Sequence, residues 1–239
     1  MGGAHPVLDG FYKVEFQVNG ASGRSVMYAH DGILLGGGSA FAHICTYEEA
    51  GDEIVAELVT RRHNDDPRYP SLLGVDDATV KARGRSRDGV FRFEGGSEQL
   101  PGAIFRSVMT PLAEEIGPAG DVGQGGIVNG LYSIHIRTLD GIEAGNTGVM
   151  LFHDGRILGG DGFFYYLGSY TSANGRWTAE ILNQEHTPAK GEVPLFGGHE
   201  VGIGISGTCD ENGAEAEAVA LVGARSVRCK AVLKMMRRA

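Results

Sequence analysis

Apolar and polar residues alternate along most of the chain with a period of two. Residues 12–18 have apolar side chains at every second position, and residues 132–136 repeat the pattern. This period is typical of a β-strand with one buried face, because successive side chains point to opposite sides. No segment shows the 3.6-residue period of an amphipathic helix. The pattern predicts about eight strands in the first half, with equivalents in the second: 10–18, 23–30, 33–36, 40–47, 53–63, 78–87, 90–95 and 103–110.

Short turn signals separate the predicted strands. Asn-Gly begins at positions 19, 129, 174 and 212, and Asp-Gly begins at 9, 31, 88, 140, 154 and 161. Both dipeptides suit two-residue hairpin turns, because Asn, Asp and Gly tolerate a positive φ. These signals therefore indicate antiparallel meanders. Eight short strands in about 110 residues can close into a small up-and-down barrel, which removes the sheet edges. A β-sandwich is the alternative.

The chain repeats itself, at an offset of 120 residues for 9–12 and 129–132 and at a constant offset of 123 residues for the later landmarks. Residues 30–32 (His-Asp-Gly) return as 153–155, and residues 56–58 (Ala-Glu-Leu) return as 179–181 (Ala-Glu-Ile). Such an internal repeat indicates a tandem duplication. We therefore predict an all-β fold of two tandem small antiparallel barrels, at 7–112 and 128–236. A Gly- and Pro-rich stretch at 113–127 is predicted to be a flexible linker between them.

Composition and charge narrow the function classes. The formal net charge of −9 argues against binding to a phosphate backbone, so we expect no direct nucleic-acid binding. No apolar run approaches 18 residues and no signal peptide is visible, so we predict no membrane contact and a cytoplasmic location. Cys45, Cys209 and Cys229 lack metal-ligand spacing and are expected to be reduced thiols. A Cys209–Cys229 disulfide is the alternative.

Motifs for catalysis or cofactor binding are weak. Residues 202–207 match G-x-G-x-x-G, but dinucleotide binding needs a following helix, and here apolar residues alternate within one strand. We attribute these glycines to the space that side chains of the facing barrel wall need. His30 and His63 recur as His153 and His186 beside turns, where hydrogen bonding explains them. We predict a non-enzymatic protein with no metal site and no cofactor.

Two charged clusters lie in the first half. Residues 81–87 carry a basic side chain at every second position, which is typical of an outward, solvated strand face. A contact for an acidic partner is the alternative. A predicted hairpin turn at 48–53 holds four carboxylates, whereas its equivalent at 171–176 holds none. Since a turn does not need this repulsion, we predict contacts with a basic protein partner at Glu48, Glu49, Asp52 and Glu53. A solvated loop remains the alternative.

Aromatic residues cluster in the second half at 163–166. Alternation sends Phe163 and Tyr165 to one face and Phe164 and Tyr166 to the other. Aromatic residues on both faces indicate a core on one side and an interface on the other. We predict that the interface between the two repeats includes Phe164, Tyr166 and Tyr170.

The order of these landmarks resembles the GrlR-like family, which is named for a negative regulator of type III secretion. The second half carries the resemblance at Gly130, Tyr132, Ile134, Asp154, Gly155, Ile157, Gly159, Gly160, Asp161, Tyr166, Gly168, Tyr170, Phe196 and Gly197. The first half keeps Gly10, Tyr12, Val14, Asp31, Gly32, Ile33, Gly36 and Gly37. It departs from the family pattern with Gly38 in place of an aspartate and His43 in place of a tyrosine.

The resemblance implies a lipocalin-like barrel that binds proteins. The family's namesake is a dimer that sequesters a DNA-binding transcriptional activator through an acidic surface loop, and residues 48–53 occupy the corresponding turn. Because that relative is dimeric, we expect the two barrels to pack as a pseudo-dimer within one chain. The rival hypothesis is a lipocalin-like carrier of a small apolar ligand, unless side chains fill the barrels. Candidates to fill them are Phe16, Tyr28, Ile134 and Leu151.

Overall fold

The computed structural model describes residues 8–112, 116–139, 146–188 and 200–239. The chain divides into two compact units, Met1–Glu114 and Glu115–Ala239. Each unit is a closed antiparallel barrel of eight strands, in which strands that follow one another in sequence are neighbours in the sheet. The predicted all-β fold of two tandem up-and-down barrels is therefore confirmed. Within the described ranges, the structure has no helix of the length and apolarity needed to cross a membrane.

The strands of the first barrel are β1 (Gly10–Val18), β2 (Ala21–His30), β3 (Ile33–Gly37), β4 (Phe41–Ala50), β5 (Glu53–Arg62), β6 (Asp77–Arg87), β7 (Val90–Gly96) and β8 (Ile104–Pro111). Those of the second are β9 (Gly130–Thr138), β10 (Asn146–His153), β11 (Arg156–Gly160), β12 (Phe164–Ala173), β13 (Arg176–Glu185), β14 (Glu200–Cys209), β15 (Gly213–Val222) and β16 (Arg225–Arg238). Pairing of β1 with β8 and of β9 with β16 closes the barrels. The predicted bounds of the first eight strands lie within a few residues of these.

Hairpin turns fall at the predicted dipeptides for a steric reason. The φ angles are 47° and 76° at Asp31-Gly32, and 44° and 79° at Asp154-Gly155. Two successive positive φ values give the turn whose twist matches that of the flanking strands. Asn19-Gly20, Asp88-Gly89 and Asn174-Gly175 behave in the same way. Asp9-Gly10 and Asn129-Gly130 instead lead into the first strand of each barrel, and the dipeptide at 140–141 lies outside the described residues.

Each barrel has a core of inward-facing side chains, with Tyr12 in the first and Tyr132 at the equivalent place in the second. Strands β3 and β11 contribute glycine to the inner wall instead. A Cβ on Gly36 would lie 2.0 Å from a backbone oxygen of β2, and a Cβ on Gly159 would lie 2.3 Å from one of β10. Only glycine permits this close approach of neighbouring strands. This requirement explains the first glycine of the Gly-Gly signature in both repeats.

The glycines of the G-x-G-x-x-G match do not have the role we predicted. Gly202 and Gly204 point outward, and a Cβ on either would meet nothing within 4 Å. The alternating residues Ile203 and Ile205 point into the core instead. The expectation that these two glycines make room for inward side chains is therefore wrong. Gly207 does need to be glycine, because a Cβ there would lie 1.9 Å from the backbone oxygen of Glu215.

The predicted linker is wrong in its second part. Residues 117–127, which we call the strap, belong to the second unit and are held on it by backbone hydrogen bonds. Gly120 donates to the Gly155 carbonyl at 2.9 Å, and Gly175 donates to the Gly125 carbonyl at 2.7 Å. Ile127 ends the strap inside the second core, where it is 3% exposed. Glycine in this stretch therefore permits close backbone contact, and its abundance did not indicate flexibility. Residues 113–115 lie outside the described part of the chain.

Candidate functional site

The four predicted contact carboxylates lie together at one tip of the first barrel. Strand β4 ends at Ala50 and β5 begins at Glu53, so residues 48–53 form a hairpin, which we call the acidic hairpin. Gly51 turns the chain with a φ of 70°. Residues 48–52 are exposed and Glu53 is half-buried. The sequence therefore placed these carboxylates correctly at a solvent-facing turn.

The structure also brings the basic strand face next to the acidic hairpin. Arg83 on β6 forms an ion pair of 2.7 Å with Glu53, and Arg85 lies 3.7 Å from Asp52. The two arginines are largely exposed, so each pair contributes at most about 1 kcal/mol of stability. Sequence reasoning treated the two charged clusters separately. The up-and-down order could have joined them, because the strand that follows the hairpin must lie beside it.

Glu49 differs from the other three carboxylates because it accepts a hydrogen bond from a buried backbone N–H group. The backbone N–H of Leu8 donates to its carboxylate at 2.7 Å. Leu8 is 1% exposed and belongs to the core of the first barrel. Its carbonyl oxygen accepts a further hydrogen bond from the Tyr47 hydroxyl. Glu49 therefore helps to hold the residue that enters the barrel just before β1.

The second barrel contains the same arrangement with a different side chain. Ser172 occupies the place of Glu49, 123 residues further along the chain. Its hydroxyl accepts the backbone N–H of Ile127 at 2.8 Å, and Ile127 enters the second core just before β9. A neutral hydroxyl is thus sufficient for this contact. The negative charge of Glu49 is not required by the fold.

The strap continues as a short extra strand along the edge of β12. It forms a parallel bridge from Val122 to Ser172. The Ser172 N–H donates to the Asp121 carbonyl at 2.9 Å, and the Gly123 N–H donates to the Ser172 carbonyl at 2.8 Å. Strand β11 pairs only with residues 165–169 of β12, so the strap takes over where β11 ends. The backbone of Ser172 is therefore satisfied on both of its polar groups.

The equivalent edge in the first barrel is not covered by any described residue. Strand β3 pairs with residues 42–46 of β4, and the Tyr47 N–H donates to the Gly32 carbonyl at 2.9 Å. In an extended strand, Glu49 directs its N–H and C=O to the same side as Tyr47, two residues earlier. Among the described residues, no backbone group pairs with Glu49 on that side. We call residues 48–50 the open edge.

The three aromatic residues predicted at an interface lie inside the second barrel instead. Phe164, Tyr166 and Tyr170 are 7%, 4% and 1% exposed and belong to its core. Burial raises the pKa of Tyr166 well above its ordinary value, and the nearby Asp161 adds to the shift. The interface assignment is therefore wrong. Alternation shows which residues share a face, but it cannot show which of two aromatic faces is the interior.

The recurring histidines have structural partners. The ring nitrogen Nε2 of His63 lies 3.1 Å from the Gly38 carbonyl, and that of His186 lies 3.3 Å from the Asp161 carbonyl. Each imidazole thus braces the connection between the third and fourth strands of its own barrel. His30 Nδ1 lies 3.3 Å from the Asp9 carboxylate, beside a turn. The described residues contain no group of three or more His, Cys, Asp or Glu side chains suited to a metal ion.

The cysteines are free thiols, and the alternative of a Cys209–Cys229 disulfide is not found. Cys45 and Cys229 are buried, and Cys209 is partly exposed. Burial raises the pKa of the Cys45 thiol to about 12. A buried thiol with a raised pKa is poorly reactive, because the thiolate is the nucleophilic form. Cys45 therefore acts as a small apolar core residue.

Comparisons with known proteins leave the family open. No protein-family model matches the chain, and no curated protein sequence matches it. Among solved structures, the chain is similar to a Bacteroides fragilis crystal structure named a "putative outer membrane protein". The match covers 95% of this chain and 97% of that one, at 9% identity and a TM-score of 0.26. A score this low carries no argument about fold or function. The GrlR-like resemblance stays a resemblance.

Proposed function

We propose that the protein is a non-enzymatic binding module that takes an extended, basic segment of a partner protein on the open edge of β4. One observation carries this proposal: the equivalent edge of β12 already holds an extended segment, the strap. Both repeats share the same hairpin, but only the second has a strap among the described residues. The first barrel has the same backbone groups on the equivalent edge, and the proposal places a segment of another chain on them.

Strand addition of this kind obtains affinity from main-chain hydrogen bonds. On β12, Ser172 uses its N–H and its C=O to bind the strap. Glu49 directs the same two groups toward the open edge of β4. A partner segment that runs parallel to β4 would satisfy both, as the strap does for Ser172. The neighbouring side chains would then decide which segments bind.

Charge favours a basic partner. The acidic hairpin has four carboxylates against the two arginines that approach it, Arg83 and Arg85. The Glu48 carboxylate is exposed, and no ion pair involves it among the described residues. Such a tip raises the association rate of a positively charged partner more than its final affinity. The effect weakens with salt, because the Debye length is about 8 Å near 0.15 M.

Backbone geometry limits the size of the partner's side chains. A Cβ on Gly120 of the strap would lie 2.1 Å from the Tyr170 carbonyl oxygen. Tyr47 occupies the place of Tyr170 in the first barrel, so a docked segment meets the same obstacle there. We expect a glycine in the partner segment at this point. The proposed ligand is thus a glycine-containing, lysine- or arginine-rich extended peptide.

The regulatory role in this proposal comes from the resemblance. A DNA-binding activator has basic surfaces, and covering one of them would repress transcription by competition. The partner class that we propose is therefore a DNA-binding regulator whose basic segment is sequestered. Binding of nucleic acid itself is not part of the proposal, because the net charge of −9 opposes it.

A synthetic peptide tests the proposal without knowledge of the natural partner. The probe has the sequence of residues 117–126 with Asp121 and Gln124 replaced by lysine, and the control peptide keeps the natural sequence. We expect calorimetry at low salt to show binding of the lysine peptide and much weaker binding of the control. Binding of the lysine peptide should decrease severalfold in 0.5 M salt, chosen to shorten the Debye length to a few ångströms.

The matched protein variant is Glu48→Gln with Asp52→Asn. It removes two charges of the acidic hairpin and leaves the contact of Glu49 with Leu8 intact. We expect this double variant to bind the lysine peptide severalfold more weakly at low salt and to differ little at high salt. Failure of the wild type to bind the lysine peptide would contradict the proposal. If the double variant bound the lysine peptide as tightly as the wild type does, the acidic hairpin would have no part in binding.

A further inference from the structure

The interior of the first barrel has a polar region near the loops that follow β3 and β5. Ser25 on β2 and His43 on β4 point inward and are 0% and 6% exposed. Strand β3, which lies between them, contributes Gly36 and therefore no side chain to this part of the wall. Thr60 on β5 is also buried here and is 6% exposed. The three polar side chains thus line a part of the barrel interior where Gly36 contributes no side chain.

Two polar atoms of this region have no hydrogen-bond partner. The Ser25 hydroxyl oxygen and the His43 Nδ1 atom are buried, and no described residue bonds to either. Buried polar groups in proteins are almost always hydrogen-bonded, because burying an unpaired one is costly. Each such exception requires an explanation. A bound molecule with a polar group between Ser25 and His43 would supply one.

The surroundings of these polar atoms are aromatic and partly accessible. The ring of Phe16 meets the His43 ring edge to face at 5.6 Å and lies 6.4 Å from the ring of Phe105. Phe16 and Leu58 pack against the first core but are only half-buried. Leu72, in the connection between β5 and β6, is also half-buried against this core. Three apolar side chains that pack against the first core are therefore partly in contact with solvent.

The second barrel has different side chains at the same place. Tyr166 stands where the first barrel has His43, and it is 4% exposed. Asp161 stands in place of Gly38, and Gly148 in place of Ser25. The second barrel thus has a larger phenol in place of the imidazole, and a carboxylate that accepts hydrogen bonds from the backbone N–H groups of Phe163 and Phe164. Tyr28 and Leu151 were predicted to fill the barrel interiors, but this prediction is wrong. Both residues alternate with core residues along their strands and point outward.

We propose that the first barrel contains an internal site for a small, neutral, largely apolar molecule that carries one hydroxyl group, bound between Ser25 and His43. This inference is independent of the open edge and concerns a different class of ligand. A hydroxyl group both donates and accepts, so it matches the hydrogen-bonding chemistry of the Ser25 hydroxyl and of the His43 nitrogen. The ring of Phe16 would contact the apolar body of the ligand.

The proposed ligand is neutral because the described interior offers no unpaired counter-charge: Arg62, two residues after Thr60 on β5, is mostly buried and already pairs with Asp76 at 2.5 Å. The buried polar residues on the strands of the first barrel are, among those described, Ser25, His43, Thr60 and Ser107. Burial lowers the pKa of His43 to about 4, with His63 adding to the shift, so the ring is uncharged at pH 7. A carboxylate ligand would have to displace Asp76 from Arg62 or be buried without a cation, and it is therefore disfavoured.

A pair of small aromatic compounds tests this site. 4-Ethylphenol has the proposed chemistry, and 4-ethylbenzoate has a similar shape with a negative charge. We expect calorimetry at pH 7 to show binding of 4-ethylphenol and at least tenfold weaker binding of 4-ethylbenzoate. We also expect the largest amide shifts in a two-dimensional NMR titration at residues near Ser25 and His43. Absence of 4-ethylphenol binding at millimolar concentration, or equal binding of the two compounds, would overturn the proposal.

Variants separate the internal site from unspecific binding. Ser25→Ala and His43→Phe each remove one polar partner, and we expect each to weaken 4-ethylphenol binding about five- to tenfold. Tyr166→Phe in the second barrel is the matched control and should leave the affinity unchanged. Circular dichroism checks that each variant is folded, and Ser25→Ala alone decides the question if His43→Phe does not fold. Unchanged affinity in folded Ser25→Ala would overturn the proposal.

Discussion

Glu49 and Ser172 occupy the same position in the two repeats and accept the same hydrogen bond. The donors are the backbone N–H groups of Leu8 and Ile127, at 2.7 and 2.8 Å. Each repeat thus makes the same kind of contact, one through a carboxylate and the other through a hydroxyl group. The hydroxyl shows what the fold requires, and the carboxylate adds a charge that the fold does not require. This comparison separates a structural role of Glu49 from its proposed role at the acidic hairpin.

Replacement of Glu49 by alanine should destabilise the first barrel. The buried N–H of Leu8 would lose its acceptor, which costs about 1–2 kcal/mol. Glu48→Ala is the matched control and should change the free energy of unfolding by less than about 0.5 kcal/mol, because its side chain is exposed. Urea unfolding followed by circular dichroism measures both. Equal stabilities of the two variants would show that the contact with Leu8 has no energetic value.

The strap should not tolerate a side chain at Gly120. A Cβ there would lie 2.1 Å from the Tyr170 carbonyl oxygen, so Gly120→Ala must displace the strap from β12. We expect a loss of about 1–3 kcal/mol in the stability of the second unit. A methyl group at Gly117 meets nothing within 4 Å, so Gly117→Ala should be nearly neutral. Similar melting temperatures of the two variants would argue against tight docking of the strap.

His43 should make stability depend on pH in a definite window. Burial lowers its pKa from 6.5 to about 4, so the unfolded chain binds a proton at a higher pH than the folded protein does. Stability contributed by the neutral ring is therefore complete above pH 6.5 and is lost as the pH falls toward 4. The loss amounts to about 3 kcal/mol. Below pH 4 this contribution no longer changes.

The variant His43→Phe isolates that contribution. Carboxylates also titrate between pH 4 and 6.5, but they are common to both proteins. We expect the free energy of unfolding of the wild type to fall more steeply than that of the variant between pH 6.5 and 4. Denaturant titrations at three or four pH values provide the comparison. Parallel pH profiles would mean that the pKa of His43 is the same in the folded and the unfolded state.

The pairing of the two barrels stays a sequence-based prediction. We expect a pseudo-dimer within one chain, as the duplication and the family resemblance suggest. The aromatic residues assigned to its interface, Phe164, Tyr166 and Tyr170, are in fact core residues, so a pseudo-dimer would have to use other residues. Small-angle scattering should give the curve of a single compact particle. A curve that requires two independently tumbling barrels would rule the pseudo-dimer out.

Much of the fold could be predicted because its determinants are local. The two-residue alternation marks each strand, and dipeptides such as Asp31-Gly32 mark the turns by requiring a positive φ. The 123-residue repeat then predicts that the second half of the chain forms a barrel like the first. The strap at 117–127 was missed, because glycine-rich composition fits both a flexible linker and a segment that must approach another backbone closely.

The candidate site was only partly accessible to sequence reasoning. The charges of 48–53 are visible in the sequence, as is their absence at 171–176. The contacts of Glu49 with Leu8 and of Arg83 with Glu53 depend on how strands pair, which no single segment encodes. The open edge of β4 can be recognised only when the two repeats are compared, because the strap occupies the equivalent edge of β12.

Hydrogen exchange of two backbone amides tests the central claim most directly. In the free protein, the Ser172 amide donates to the Asp121 carbonyl and should exchange slowly, whereas the Glu49 amide should exchange at least about tenfold faster. With saturating lysine peptide, as defined above, the Glu49 amide should become protected and the Ser172 amide should not change. Equal protection of the two amides in the free protein, or an unprotected Glu49 amide in the complex, would contradict the account.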